Sequence, residues 1–476
     1  MSNFIIFAAK DEDAIRHYNE TEHEYRTKFE RDRDRIIFCK EFRRLSGKTQ
    51  VFVAGYDDNI RTRLTHTLEV AQIAKTIARH LNLNDILTEG IALGHDIGHT
   101  PFGHVGERTL NLIANGCDAL KNINDFIPPD QQGFKHNWQS LRVATKLERI
   151  DRSFPGLNLT DYTLWGILNH SSLEYKECSY FNESRCTLKH EHNSCKKNTF
   201  SLKFYENCNE YLRKESWTIE GLVVNWADEI AQRNHDLQDG IVSKIVDKNE
   251  LTQILKETFG SFLTEAETKQ LETIKAETIQ SYYIAQISRF ITNIYVSRLL
   301  ENTKNNMRLI KDKYQLSSSN NFYNNKDAIR IEREIPQIVS YQSEFENKEK
   351  EFHLFLKGRI INSGQAQRMD GKSNYIILQL VKAFLTNPQQ LPDSTIISIY
   401  RNSSNFDLDK ALEKIPLSEV TAQKRNELQR DYHNHKLEGF KIALLRTICD
   451  YIAGMTDQYA LDQYEMLYGG TRFRNT

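Results

Sequence analysis

No apolar run in this chain of 476 residues reaches the ~18 residues that a membrane-spanning helix needs. The N-terminal MSNFIIFAAKDEDAIRHY turns to charge too early for the apolar stretch of a secretory signal. Both absences read as a cytoplasmic protein without a membrane partner. Proline (8) and glycine (21) are scarce, too few for the closely spaced turns of a β-sandwich. With only 7 cysteines and no secretory signal, disulfides give way to reduced thiols or metal ligands. An excess of one charge is missing too: Lys plus Arg (63) balances Asp plus Glu (64), and a net charge of -1 offers no global attraction for nucleic acid. Any phosphate-binding surface must be local. A fixed-period repeat is absent, which excludes a solenoid. HExxH is absent, which excludes a zincin protease, and SGKT at Ser46–Thr49 fails as a P-loop because Phe42 stands where glycine is required.

What is present is a 39% hydrophobic fraction, 10% aromatic, with long stretches rich in Leu, Ile, Ala, Glu and Lys. These favour an all-α fold with a sizeable core. The reading is a single large catalytic unit: an N-terminal segment over 1–30, a core over 31–245 with an insertion at about 171–215, and a helical C-terminal part over 246–476 packed on the core. The insertion carries Cys178, Cys186, His190, His192, Cys195 and Cys208, and a structural zinc at Cys178, Cys186 and Cys195 competes there with ordinary reduced thiols, since the spacings are irregular. RTKFERDRDRIIF alternates in sign and reads as a solvated helix face. Asn302 to Asp327, with SSSNNFYNNKD, reads as an exposed loop.

The chemistry concentrates in two segments. His66 sits in TRLTHTLEVAQIAKTIARHL, where Leu64, Leu68, Ala71, Ala74 and Ala78 recur at helical spacing, with Arg63 three residues earlier. By itself His66 is either a ligand or a buried, hydrogen-bonded histidine. GIALGHDIGHTPFGHVGERTL then packs His95, Asp96, His99, His104 and Glu107 among four glycines. Adjacent His95 and Asp96 reach one metal only at a helix end or turn, which Gly94 and Gly98 permit. His95 and His99 are an i,i+4 pair if a helix persists there. His104 and Glu107 stand at i,i+3, where a carboxylate can orient an imidazole for acid or base work. In WTIEGLVVNWADEIAQRNHDLQDG, Asp228 interrupts an apolar helix, and Gln232, His235 and Asp236 follow on the same face. Two imidazoles and two carboxylates from His66, His95, Asp96 and Asp228 suit one divalent ion, Mn, Mg, Fe or Zn, with positions open for water and phosphate.

These stretches, with RDRDRIIFCKEFRRLSGKTQVF, GFKHNWQSLR and DYIAGMTDQYAL, resemble the HD superfamily, and more closely its deoxyguanosine triphosphate triphosphohydrolases, from about Arg31 to Leu461. The resemblance implies a compact all-α HD fold, a homo-oligomer (hexamer or tetramer) and an allosteric deoxynucleotide. It implies metal binding by His66, His95, Asp96 and Asp228. His104 and Glu107 fall at a catalytic histidine and its acidic partner, and His136 at another active-site histidine that protonates the leaving oxygen or holds the triphosphate. Arg63 and His99 match phosphate contacts, Asp236 a contact to the sugar 3′-hydroxyl, and Gln50 a position facing the deoxyribose. Gln232 stands where some relatives carry a tyrosine near the sugar. Asp457 and Tyr459 are candidates for the base pocket.

The implied reaction takes a dNTP and water to a deoxynucleoside and tripolyphosphate, with the proton for the leaving alcohol supplied by His104 or His136 and Glu107 orienting His104. Two other readings share parts of the pattern. Another HD phosphohydrolase, a 5′-nucleotidase or phosphodiesterase, would share the metal ligands. A nucleotide sensor or single-strand nucleic-acid-binding protein would share the site without turnover.

Overall fold

The computed structural model of the protein describes residues 5–49, 61–116, 127–175, 202–317, 322, 335–361, 363–404, 406–433 and 438–469. Among them the only β pairing is in isolated bridges, Arg16 with Thr160, Thr49 with Thr62 and Arg149 with Gly156, and the fold is all-α as the composition implies.

The helices that build the site are α1 (Lys28–Phe38), α2 (Arg63–His80), α3 (Asp85–Gly94), α4 (Gly103–Ala114), α5 (His136–Arg142), α6 (Asp161–Asn169) and α7 (Ile219–Val242). Side chains of Thr27, Thr62, Asn84, Thr160 and Thr218 cap α1, α2, α3, α6 and α7, each accepting a backbone N–H of the first turn. Such caps fix where each helix begins, and therefore which residues face inward. Helix α3 is apolar nearly all round and is correspondingly enclosed by α1, α2, α6 and α7.

Two hydrophobic cores result. The first runs from Ile6 to Ile360 and takes in α8 (Gln280–Lys313) and α9 (Ser343–Ile361), both packed on α7. The second joins Phe102, Leu110, Ile113 and Phe134 to α10 (Gly364–Thr386), α11 (Asp393–Ser404), α12 (Glu438–Ala453) and α13 (Asp457–Tyr468). Helix α4 thus carries one face of the active region and one face of the second core.

Three sequence expectations change here. RTKFERDRDRIIF is no solvated face: Asp32 is fully buried, ion-paired to Arg16 at 2.6 Å and bonded by Thr160 and Thr163, while Arg31 and Arg35 both pair with Glu20. Its alternating charges pin the N-terminal segment to α1 and α6. Asn302 to Lys313 is the end of α8, with Thr303, Met307 and Ile310 buried, so no loop begins at Asn302. The end of the insertion is also built into the core, because Tyr205, Cys208 and Tyr211 are buried and the Tyr205 hydroxyl donates to Gln139 Oε1 at 2.9 Å.

Candidate metal centre

Helix α3 ends at Gly94, and the next four residues form a turn that lets His95 and Asp96 converge. A helix does not persist to His99, so the i,i+4 geometry considered for His95 and His99 is not formed. The turn is held from outside: Ser140 Oγ on α5 donates to His95 O at 2.9 Å and accepts from Gly98 N at 2.9 Å. Gly98 is obligatory, because a Cβ there would lie 2.0 Å from Ser140 N.

Inside this turn four expected ligands meet. His66 Nε2 lies 2.9 Å from Asp228 Oδ1, His95 Nε2 lies 3.8 Å from the same oxygen, and His95 Nε2 lies 3.7 Å from Asp96 Oδ1. Donor atoms of His66, His95 and Asp96 all fall within 4.8 Å of one another. His95 Nδ1 donates to Ala92 O at 2.6 Å, which leaves Nε2 facing the cluster, buried and without a partner among the described residues. Burial would raise the Asp96 carboxyl, but Arg63, 2.5 Å away, and the surrounding histidines hold it well below the usual carboxylate range. Asp228 is likewise lowered against its burial by His66 and His95.

Phosphate-contact candidates border the cluster. Arg63 is buried, spends Nη1 on Asp96 and leaves Nε and Nη2 unpartnered, and neither ring nitrogen of buried His99 has a partner. Burial, with Arg63 and His136 nearby, keeps His99 neutral.

The catalytic trio differs from its expected wiring. His104 and Glu107 are in register on α4, but their closest atoms are 3.9 Å apart, whereas Glu107 Oε2 bonds His136 Nδ1 directly. Glu107 Oε1 accepts from the Tyr175 hydroxyl at 2.7 Å and lies 3.7 Å from Lys135 Nζ. The carboxylate therefore orients His136, not His104, because α5 approaches α4 more closely than the i,i+3 partner can. His104 lies beside His99 and His136, with ring centroids 5.2 and 5.9 Å away. Its side chain is 58% accessible, yet desolvation by the surrounding protein, opposed by Glu107 and reinforced by His136 and Arg63, takes it down to about 4.

Other candidates sit apart. Asp236 is buried beyond the cluster, near Arg233 and Asp239, with no hydrogen bond among the described residues, and burial pushes its carboxyl up to about 7. Gln232 is half-buried on α7. Asp457 is consumed structurally, accepting from Thr49 N at 3.0 Å and Phe102 N at 2.9 Å, so it is not free to meet a base, whereas Tyr459 is exposed. Gln50, and Cys178, Cys186, His190, His192 and Cys195 with their zinc reading, lie outside the described residues.

Sequence reasoning missed three residues. His170 ends α6 as a single buried imidazole with no spacing signal, and its Nε2 lies 3.3 Å from His136 Nε2. His235 was passed over for its neighbour Asp236, yet its Nδ1 meets His66 Nδ1 at 3.2 Å, while Glu69 bonds its Nε2. Glu69 stands one turn after His66 on α2, a helical spacing that could have marked it.

Residues 63–232 match the HD domain, and residues 415–466 match the phosphohydrolase-associated domain. Curated relatives named deoxyguanosinetriphosphate triphosphohydrolase-like protein align over nearly the whole chain. One from Geobacter sulfurreducens is 33% identical over 445 residues, covering 93% of this chain and 89% of its own length. Another, from Rickettsia bellii, is 32% identical over 454 residues, covering 94% of each.

The chain belongs to the deoxyguanosinetriphosphate triphosphohydrolase-like family of HD-domain proteins.

As a member of this family it is an HD phosphohydrolase, and HD domains bind a divalent metal. The residues present fit one. Donors of mixed N/O chemistry converge, His95 Nε2 is buried with nothing to bond, and the ligand histidines are fixed at Nδ1 by Ala92 O and by His235. No helix among the described residues is long and apolar enough to cross a membrane.

Proposed function

We propose that the protein hydrolyses deoxynucleoside triphosphates, with dGTP favoured, to the deoxynucleoside and tripolyphosphate. The observation that carries this reading is the juxtaposition of a His/His/Asp/Asp donor set with buried, unpartnered Arg63 and His99 nitrogens. Such nitrogens are costly in a folded interior unless an anion arrives to bond them. Names and near-full-length alignment of the relatives favour a deoxynucleoside triphosphate as that anion.

His66, His95, Asp96 and Asp228 would hold the divalent ion, which when bound supplies Lewis-acid polarisation of a phosphoryl oxygen and an acidified water. Arg63 and His99 receive the phosphate charge. The bond between the α-phosphorus and the 5′-oxygen breaks, water supplies the hydroxyl to phosphorus, and the departing alcohol takes up a proton. His104 is the proposed donor, since it is the accessible imidazole of the group. In the free protein it is neutral at pH 7, and the negative charge of an arriving triphosphate is what favours its protonated form. His136, held by Glu107 at Nδ1 and by His170 at Nε2, stacks on His99 and keeps that imidazole in place. Asp236 follows Asp228 by two helical turns, about 12 Å, and its unbonded carboxyl is offered to the sugar 3′-hydroxyl, with Gln50 and Gln232 as further sugar contacts.

The test is product analysis. Purified protein incubated with each dNTP and Mn or Mg should release tripolyphosphate and deoxynucleoside, and an Asp96→Ala control should release neither. Monophosphate, diphosphate or no product from all four would overturn the reading in favour of another HD hydrolase or a nucleotide sensor.

A further inference from the structure

Helices α2 and α7 each bring one ligand and one residue that is not a ligand to the same place. On α2, Glu69 stands three residues after His66, and on α7, His235 stands two turns after Asp228, so each pair shares a helix face. His66 Nε2 lies 2.9 Å from Asp228 Oδ1, and on the other edge of the same ring Nδ1 lies 3.2 Å from His235 Nδ1. His235 Nε2 bonds Glu69 Oε2, and Arg61 Nε donates to Glu69 Oε1 at 3.2 Å. One line of hydrogen bonds therefore runs from Arg61 through Glu69 and His235 to the ligand His66.

The proton positions follow from the two ends of this line. Burial would raise the Glu69 carboxyl, but the hydrogen bond from His235 and the nearby Arg61 take it down to about 2, so at neutral pH it only accepts and His235 carries a proton on Nε2. A cation on His66 Nε2 requires the lone pair there, which puts the His66 proton on Nδ1, aimed at the Nδ1 lone pair of His235. A single arrangement of protons then satisfies both rings and leaves the ligand nitrogen bare. Such support fixes the tautomer and orientation of a ligating imidazole and raises its basicity. The side chains of His66 and His235 are each 1% accessible, so water does not replace these bonds when one is lost.

Unlike the two imidazoles, the carboxylate is reachable. The Glu69 side chain is 38% accessible and lines a groove of about 520 Å³ between α2, α7 and α8, with Arg61, Gln72, Asn234, Gln238 and Arg289. None of His66, His95, Asp96 and Asp228 lines that groove. We propose that Glu69, held by Arg61, is a positioning residue of the metal centre that acts through His235 on His66, given the ligand set assigned above. The groove makes this role separable from folding, because a free carboxylate ion can enter it and take the place of a deleted one.

The experiment reads metal affinity and needs no substrate. Full-length protein stripped with chelator is titrated with Mn(II), free Mn being read by electron paramagnetic resonance, at constant ionic strength in sodium chloride or sodium acetate. Glu69→Ala should bind Mn about tenfold to a hundredfold more weakly than wild type in chloride. Acetate, seated between Arg61 and His235 in the space the substitution opens, should restore most of that affinity and saturate. Acetate should leave wild type unchanged, and His235→Ala should lose affinity as Glu69→Ala does but gain nothing from acetate. Circular dichroism spectra and denaturant midpoints verify that both variants fold. Wild-type affinity in Glu69→Ala overturns the positioning role, and so does a loss that acetate leaves unrepaired, because a carboxylate needed only for packing is not replaced by a free one. Acetate that strengthens all three proteins alike also overturns it. These outcomes leave the proposed reaction standing, whereas wild type that binds no Mn would remove the ligand set and the positioning role together.

Discussion

A carboxyl buried without a hydrogen-bond partner lowers folding stability, and a ligand is what can offset it. Asp236 is such a group, displaced from its ordinary 3.8 to about 7, chiefly by burial. The sign follows from linkage. Below pH 3.8 both folded and unfolded states are protonated and the group costs nothing. As pH rises, the unfolded chain ionises first, so stability falls until pH passes about 7, by about 4 kcal/mol in all. Asp236→Asn removes this penalty. Its stability gain over wild type, read from urea denaturation, should be larger at pH 8 than at pH 5 by about 3 kcal/mol. An equal gain at both values would show that the carboxyl is not held protonated. If Asp236 also meets the sugar, the same variant should raise KM for dNTP, a stabilised but poorer enzyme.

Residue identity made part of this site legible and hid the rest. His66, His95, Asp96 and Asp228 stood out because charged and imidazole side chains interrupt apolar helical periods, and a helix interior tolerates them only with partners. His170 gave no such signal, since one imidazole at the end of DYTLWGILN resembles any capped helix end. The Glu107 partner was misread because i,i+3 spacing specifies nearness along α4, whereas the closer imidazole comes from α5.

At the scale of elements, the site depends on how tightly the turn after α3 presses on α5. That approach is set by Gly98, whose missing Cβ admits the backbone of Gln139 and Ser140, and by the Ser140 hydroxyl that bridges His95 O and Gly98 N. The glycine-rich spacing of GHDIGHTPFGH shows that close backbone approach is needed somewhere, but not which element approaches. Gly98→Ala must part the two by displacing backbone, so it should destabilise the fold by about 1–3 kcal/mol. It should also weaken Mn binding at least tenfold, because His95 and Asp96 ride on the turn. Denaturant midpoints and equilibrium dialysis check both. A variant that loses stability but binds Mn as wild type would show that the turn and the ligands are uncoupled.

At the scale of the whole molecule, the second core reaches the site through buried polar ties that lie hundreds of residues apart in sequence, where no periodicity can announce them. Lys48, fully buried, donates to His99 O at 2.5 Å and to Ala453 O at 2.8 Å. Asp450 on α12 accepts from Gln139 Nε2 at 2.8 Å and from Arg142 Nη2 at 2.8 Å, both on α5. Arg142 is buried, and Asp450 raises its pKa against the opposing effect of desolvation. Removing one member of such a pair leaves an uncompensated buried charge, whereas replacing both with apolar groups need not be costly. Asp450→Leu should therefore destabilise the protein by about 3–5 kcal/mol and lower activity as α5 shifts His136. The double variant Arg142→Met with Asp450→Leu should recover most of that stability in denaturant titrations. Its recovery of activity should be smaller, because Gln139 also loses its acceptor and α5 keeps less of its register against α12. A double variant no more stable than the single one would show that α12 braces the site through apolar packing alone.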